Sequence, residues 1–224
     1  MFSLVLANGG TGTRIDAGQP KQFVSVHGKP IMAYSLLAIE AVAEIDEVVL
    51  NYPEGWREET ERLVAAHLTK PVTYVPPGGS RQESIRALLA HCRGEHILLH
   101  ETARPMVSAE DFRALIAAPH DNIGYLLPIP FTVVHVDPDA RQVTGALDRS
   151  KLRNVQLPQR FRKADLIEGH EYAAREGIVA TEDGTLVVLA GFEMFYLDGA
   201  DRNIKVTTPT DVRIAELMLG DEHG

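Results

Sequence analysis

Two cationic side chains bracket a glycine cluster near the start of the chain. Ala7-Asn8-Gly9-Gly10-Thr11-Gly12-Thr13-Arg14 leads into Pro20-Lys21-Gln22. Glycines have no Cβ, so their backbone N–H groups can close on phosphate oxygens. Arg14 can then grip a phosphate through two parallel hydrogen bonds, and Lys21 supplies a point charge. A Walker A loop is excluded, because no Gly-Lys-Ser/Thr follows the glycines. The dinucleotide fingerprint is excluded too: the third glycine is out of register and Pro20 soon interrupts. A glycine loop alone is also what a plain tight turn looks like. The Arg and the Pro-Lys-Gln at this spacing favour a polyphosphate ligand.

Further residues with chemistry recur downstream. Gly78-Gly79-Ser80-Arg81-Gln82-Glu83-Ser84 is a second glycine segment, and Glu101-Thr102-Ala103-Arg104-Pro105 a third polar cluster. Each singled-out residue also has a plain reading. Arg104 can cap a strand end or pair with an acid, and Arg149 beside Asp148 can be an exposed hairpin pair of little energetic worth. Lys205 in Asn-Ile-Lys-Val-Thr-Thr alternates as an outward strand lysine would. Glu101 among phosphate-binding loops suits a metal, with a structural salt bridge as the alternative. His91, Cys92, His96 and His100 fit no zinc spacing. Trp56 is expected to pack beneath a loop.

The elements that must position these residues follow from hydrophobic periodicity. Strands are expected at 3–7, 47–51, 72–75, 97–100 and 124–128. Helices are expected at 31–43, 58–68, 84–92, 109–117, 162–176 and 209–219, with Gly94 as a stop. Short strands are expected at 185–190 and 193–197. The alternation predicts an α/β fold: a mostly parallel sheet with helices on both faces. Ligands of such sheets bind beyond the carboxyl ends of the strands. The loops after Ala7, Val75 and His100 should therefore converge. Residues 131–149 break the rhythm with two alternating runs about an Asp-Pro-Asp-Ala-Arg-Gln turn, and read as a projecting β-hairpin arm. One domain spanning 1–224 is the expected organisation.

Composition narrows the classes. The chain of 224 residues carries 22 basic and 31 acidic side chains, a net charge of −9. That argues against a nucleic-acid binder and against docking on an anionic membrane. Any anionic substrate must be held by local Arg and Lys residues. The single cysteine, Cys92, rules out an internal disulfide and fits a reduced, cytoplasmic setting. The apolar run Met1–Leu6 is too short for a signal peptide, and no run reaches a membrane span.

From Leu6 to Lys21 the chain resembles the nucleotidyltransferases that make CDP-alcohols, in particular the 2-C-methyl-D-erythritol 4-phosphate and ribitol 5-phosphate cytidylyltransferases. The later motifs keep the family's order: Gly78–Ser84, Leu99–Pro105, Leu147-Asp148-Arg149, Gln156-Leu157-Pro158-Gln159, Thr181-Glu182-Asp183 and Asn203–Thr207. The resemblance implies a Rossmann-like nucleotidyltransferase fold and transfer of CMP from CTP to a polyol phosphate. It assigns Arg14, Lys21 and Lys205 to catalysis. It assigns Ala7, Asn8, Gly9, Gly10, Gly12, Gly79, Ser80, Arg81, Ser84 and Thr102 to CTP. Arg104, Thr132, Arg149 and Thr181 would hold the acceptor, and Glu101 would serve a Mg²⁺ ion. The arm would reach into a partner subunit, making a homodimer.

In such a reaction an acceptor phosphate oxygen attacks the α-phosphorus of CTP. Both reactants are anions, so fixed cations carry the electrostatic work. No general base is needed, because the acceptor phosphate is already ionised. The chain departs from the family in several places: Asn8 and Gly9 in place of alanines, Glu101 for Asp, Thr102 for Ala, Phe131 for Asp, Leu157 for Thr, and a second glycine motif one residue short. Most lie around the acceptor pocket, and the losses at Leu157 and Phe131 make it less polar. Methylerythritol 4-phosphate is the leading acceptor, with ribitol 5-phosphate or another polyol phosphate or phosphonate as the alternative. A non-catalytic nucleotide-binding module is a further class. A nicotinamide oxidoreductase ranks last, since the second strand ends in Asn51 where an acid would hold the ribose.

Overall fold

The computed structural model describes residues 1–10 and 18–220. Arg14 and Gly12 lie outside the described residues. The described elements run in order β1 (Phe2–Ala7), β2 (Ser25–Val26), β3 (Lys29–Pro30), α1 (Ile31–Glu40), β4 (Ile45–Asn51), α2 (Arg57–His67), β5 (Val72–Val75), α3 (Arg81–Leu89), β6 (His96–Glu101), α4 (Ala109–Ala117), β7 (Ile123–Pro128), β8 (Val134–Asp137), β9 (Gln142–Ala146), β10 (Arg153–Arg162), α5 (Lys163–Glu176), α6 (Asp183–Leu189), β11 (Phe195–Asp198) and α7 (Pro209–Gly220).

The central sheet has seven strands in the order β11-β7-β10-β6-β1-β4-β5. All neighbours are parallel except β10, which runs antiparallel to both β6 and β7. The central strands Leu4–Leu6, Val48–Leu50 and Ile97–Leu99 are apolar on both faces, as a sheet covered on both sides requires. One face packs Leu4, Leu6, Val48, Leu50 and Leu98 against Leu36 and Ile39 of α1, Val64 of α2 and Phe112 and Leu115 of α4. The other packs Val5, Val49, Ile97 and Leu99 against Ile85 and Leu88 of α3, Leu166 of α5 and Val187 of α6. A third cluster, Val26, Ile31, Val206, Ala215 and Leu219, seats α7 on the β2–β3 hairpin. No helix among the described residues is long and apolar enough to cross a membrane.

Two expectations need correction, and one strand goes unread in the sequence. Residues 183–189 form helix α6, not a strand. The run Thr-Leu-Val-Val-Leu is β-prone, but Glu182 caps it, its carboxylate accepting from the N–H groups of Gly184 and Thr185. Residues 153–162 form the long strand β10, which polar Gln156, Gln159 and Arg160 conceal in the sequence; all three are buried in the sheet. Lys205 lies on an irregular segment rather than a strand, anchored where Val206 N–H donates to Ala103 carbonyl at 2.8 Å. The expected arm is present: β8 and β9 form a separate two-stranded sheet whose residues are nearly all exposed.

Candidate active site

The parallel strands β1, β4, β5 and β6 all end at one edge of the sheet. Their carboxyl ends and the loops beyond them enclose a cleft of about 370 Å³, within the size range of small-molecule sites. Ala7, Gly9, Gly10, Lys21, Gly79, Ser80, Arg81, Ser84, Glu101, Thr102 and Lys205 line it. Gln22, Asn51, Pro77, Gly78, Ile85 and Ala103 also line it, although the sequence reading did not select them.

A polar network fixes the mouth of the glycine loop. Asn8 N–H donates to Asn51 Oδ1 at 2.7 Å, and Thr102 Oγ1 donates to Asn8 Oδ1 at 2.8 Å. Gln22 Nε2 donates to the carbonyls of Asn8 and Gly10 at 2.5 and 2.7 Å. Asn8 therefore backs the loop rather than lining the cleft, and its side chain joins β1 to β6. The two departures Asn8 and Thr102 are partners in one bond. The Pro-Lys-Gln segment is a 3-10 turn at Lys21–Phe23, and Phe23 stacks on Trp56 with ring centroids 4.9 Å apart. Trp56 thus packs beneath this turn, as expected. Lys21 Nζ donates to the carbonyl of Val206 at 3.1 Å, joining the turn to the Lys205 segment.

Gly9 is required by a close approach. A Cβ there would meet Asn51 Nδ2 at 2.6 Å and Pro77 Cβ at 3.2 Å. In the second glycine segment, Ser80 caps α3 by accepting from Glu83 N–H, and Gly78 N–H donates to Ser84 Oγ at 2.9 Å. These bonds hold Gly78 to Ser84 as one rigid wall.

A second, smaller cleft of about 240 Å³ adjoins the first. Arg104, Thr181, Glu182, Val155, Leu157 and Gln159 line it. Arg81, Glu101 and Lys205 line both clefts and form their common wall. Thr132 and Arg149 line neither; they stand on the exposed arm, where Arg149 Nη1 donates to the carbonyl of Pro130 at 2.8 Å. Asp148 does not pair with Arg149; it caps the short turn after it, accepting from Ser150 N–H.

Glu101 is the hub of the common wall. Its Oε1 accepts from Arg104 Nε at 2.9 Å, and its Oε2 contacts Lys205 Nζ at 2.5 Å. Burial pushes the Glu101 carboxyl upward, but Lys205 and Arg104 outweigh it and hold the group below the usual carboxylate range. Arg104 also donates to the carbonyls of Asn203 and Val155 at 2.8 and 3.4 Å. The neighbouring His100 is wholly buried, and desolvation drives its pKa down to about 3. His100 is therefore a neutral core residue, and no group of three or more potential metal ligands occurs among the described residues.

Two clefts joined by a wall of two cations and one acid suit group transfer between two anionic ligands. Comparison with known proteins agrees with this reading. Residues 2–221 match the family described as 2-C-methyl-D-erythritol 4-phosphate cytidylyltransferase. The enzyme of that name from Bacillus cytotoxicus is 32% identical over 223 residues, covering 98% of each chain. The crystal structure of the Thermus thermophilus enzyme of the same name superposes with a TM-score of 0.78 at 28% identity, covering 96% of this chain and 98% of that one. The 4-diphosphocytidyl-2C-methyl-D-erythritol synthase from Anaerococcus prevotii shares the fold, with a TM-score of 0.86 at 23% identity, covering 98% and 96%. A nucleotidyltransferase sheet, a glycine-walled cleft and a full-length match therefore lead to one conclusion: the chain belongs to the 2-C-methyl-D-erythritol 4-phosphate cytidylyltransferase family.

Proposed function

We propose that the chain transfers CMP from CTP to 2-C-methyl-D-erythritol 4-phosphate, releasing pyrophosphate, in isoprenoid precursor synthesis. The observation that carries this reading is the common wall of Arg81, Glu101 and Lys205 between the two clefts. The larger cleft takes CTP, with the base and ribose against Gly78–Ser84 and the phosphates toward Gly9, Gly10 and Lys21. The smaller cleft takes the acceptor, its phosphate toward Arg104 and Thr181. An acceptor phosphate oxygen forms a bond to the α-phosphorus, and the bond from that phosphorus to the pyrophosphate oxygen breaks. Lys21, Lys205 and, outside the described residues, Arg14 stabilise the charge that shifts onto the oxygens.

Mg²⁺ commonly binds through one or two carboxylates together with substrate phosphates. Among the described residues Glu101 is the one carboxylate lining both clefts, so this donor set fits a metal held chiefly by the nucleotide. Bound there, the ion would neutralise triphosphate charge, and Glu101 would exchange its contact with Lys205 for it. The arm supports a homodimer: Phe131 is 76% exposed and Val143 63%, apolar surface that a second copy would cover. Thr132 and Arg149 would then reach the acceptor in the partner's site. A single domain carrying this arm, working in the cytoplasm, completes the reading.

A second acceptor class is favoured by one observation. Leu157 and Val155 give the smaller cleft an apolar side, which suits an acceptor with fewer hydroxyls there, including a phosphonate. The test is pyrophosphate release with each of the four NTPs and Mg²⁺, against methylerythritol 4-phosphate, ribitol 5-phosphate, glycerol phosphate and a hydroxyalkyl phosphonate. Turnover with CTP and methylerythritol 4-phosphate, lost in Lys21→Ala, is the expected result. Preference for another nucleotide would refute it.

A further inference from the structure

Arg81 enters the wall between the clefts from the first turn of α3, and what holds it lies behind the wall. Its Nη2 stands 2.6 Å from Asp183 Oδ2, and Asp183 is only 1% exposed. The other oxygen, Oδ1, lies 3.1 Å from His170 Nε2 on α5. His170 is itself buried, and its Nδ1 has no partner. The tautomer that satisfies this arrangement carries its proton on Nε2 and donates to Asp183. The contact depends on Gly169: a Cβ there would meet the carbonyl carbon of Leu186 at 2.9 Å, so a side chain would push α5 away from α6.

A carboxylate this deeply buried needs a cation. Burial pushes Asp183 upward, but the His170 hydrogen bond and the Arg81 charge outweigh it and hold the group ionised. His170 donates to one carboxylate oxygen, and Arg81 pairs with the other through charge rather than through an aligned hydrogen bond. Without the imidazole, Oδ1 would also turn to the guanidinium. A two-pronged pair with Asp183 would draw Arg81 back from the junction of the clefts.

We propose that His170 is a positioning residue that acts through Asp183 to keep the Arg81 guanidinium presented to the nucleotide at the junction of the two clefts. This rests on the transferase reading above. His170 touches no substrate; it sets how far Arg81 reaches.

The test is a double-mutant cycle on kcat/KM for CTP. His170→Leu should lower it about tenfold, a typical coupling within one hydrogen-bonded network. His170→Gln places an amide N–H near the position of Nε2 and should recover most of the loss. In an Arg81→Ala background, His170→Leu should have almost no further effect. Equal losses in both backgrounds, or no recovery by a folded His170→Gln, would overturn the proposal. Should His170→Leu fail to fold, the imidazole can be read in the wild-type protein by long-range ¹H–¹⁵N spectra. A proton on Nε2 is expected, and a ring protonated on Nδ1 alone overturns the relay. A wild-type protein inert toward CTP with every acceptor would instead refute the transferase reading. The spectrum, and CTP affinities of the same variants by calorimetry, would still judge the relay separately.

Discussion

Replacing Glu101 with Gln tests the hub directly. The substitution keeps the shape of the side chain and removes the one negative charge between Arg104 and Lys205. The Glu101 and Arg104 side chains are each 10% exposed, so their pair is desolvated. Breaking a buried pair costs about 3–5 kcal/mol. Two carbonyls continue to accept from Arg104, at 2.8 and 3.4 Å. The glutamine oxygen can still accept one bond, so the loss should fall to about 2–3 kcal/mol. Lys205 is 39% exposed, and solvent limits its share to under about 1 kcal/mol. For a chain of this length that corresponds to a fall in Tm of about 5–10 °C. The sign with pH also follows. The folded pKa of Glu101 is depressed, so its stabilisation is complete above the unfolded value of about 4.3 and is lost as pH falls through the folded value. Urea unfolding of wild type and Glu101→Gln should therefore differ most near neutrality, and the gap should narrow as the pH falls below the unfolded value of about 4.3. A variant as stable as wild type at pH 7, or a gap unchanged in acid, would refute the claim that this ion triad holds the wall.

Further outcomes follow from other residues. Gly9→Ala should lose about 1–3 kcal/mol and weaken CTP binding, because Asn51 is held by Asn8 and cannot yield; Gly10→Ala, where a Cβ meets nothing within 4 Å among the described residues, should leave the fold's stability unchanged, and thermal melts compare the two. His100 titrates near 6.5 when unfolded and near 3 when folded, so the unfolded chain takes up a proton first. Stability should thus decline by about 1.4 kcal/mol per pH unit as pH falls between those values, and a non-titrating His100→Gln should flatten that part of the curve. Phe131→Asp with Val143→Asp should yield monomers by sedimentation and lose CMP transfer, while the melting of the sheet domain stays close to that of wild type.

The sheet was legible where its strands are buried on both faces. Val48–Leu50 and Ile97–Leu99 are continuous apolar runs between turn signals. The cleft was legible because glycines and cations cluster at strand ends, where ligands of such sheets bind. Strand β10 was hidden because the partners of its buried polar groups are remote: Arg160 donates to the carbonyls of Leu115, Ile116 and Ala118 on another element. Helix α6 was misread because short β-branched runs carry no clear period, and its cap is a glutamate rather than a Ser or Asp. The role of Glu101 as a bridge between two cations depends on Lys205, 104 positions away in the chain, and no local signal contains it. The same holds for His170 and Asp183, which meet only because two helices pack at a glycine.

The bond between Thr102 and Asn8 has a consequence for how this chain could have diverged. Both positions depart from the family pattern that the sequence resembles, so a site-by-site comparison counts two independent changes. Physically they are one change. Asn8 alone would bury a carbonyl oxygen without a donor, and Thr102 alone would bury a hydroxyl without an acceptor. Each single change should therefore cost stability that the pair together does not, which couples the two positions. Swapping a single residue between this chain and a relative therefore measures the orphaned partner, and only the double exchange measures the site.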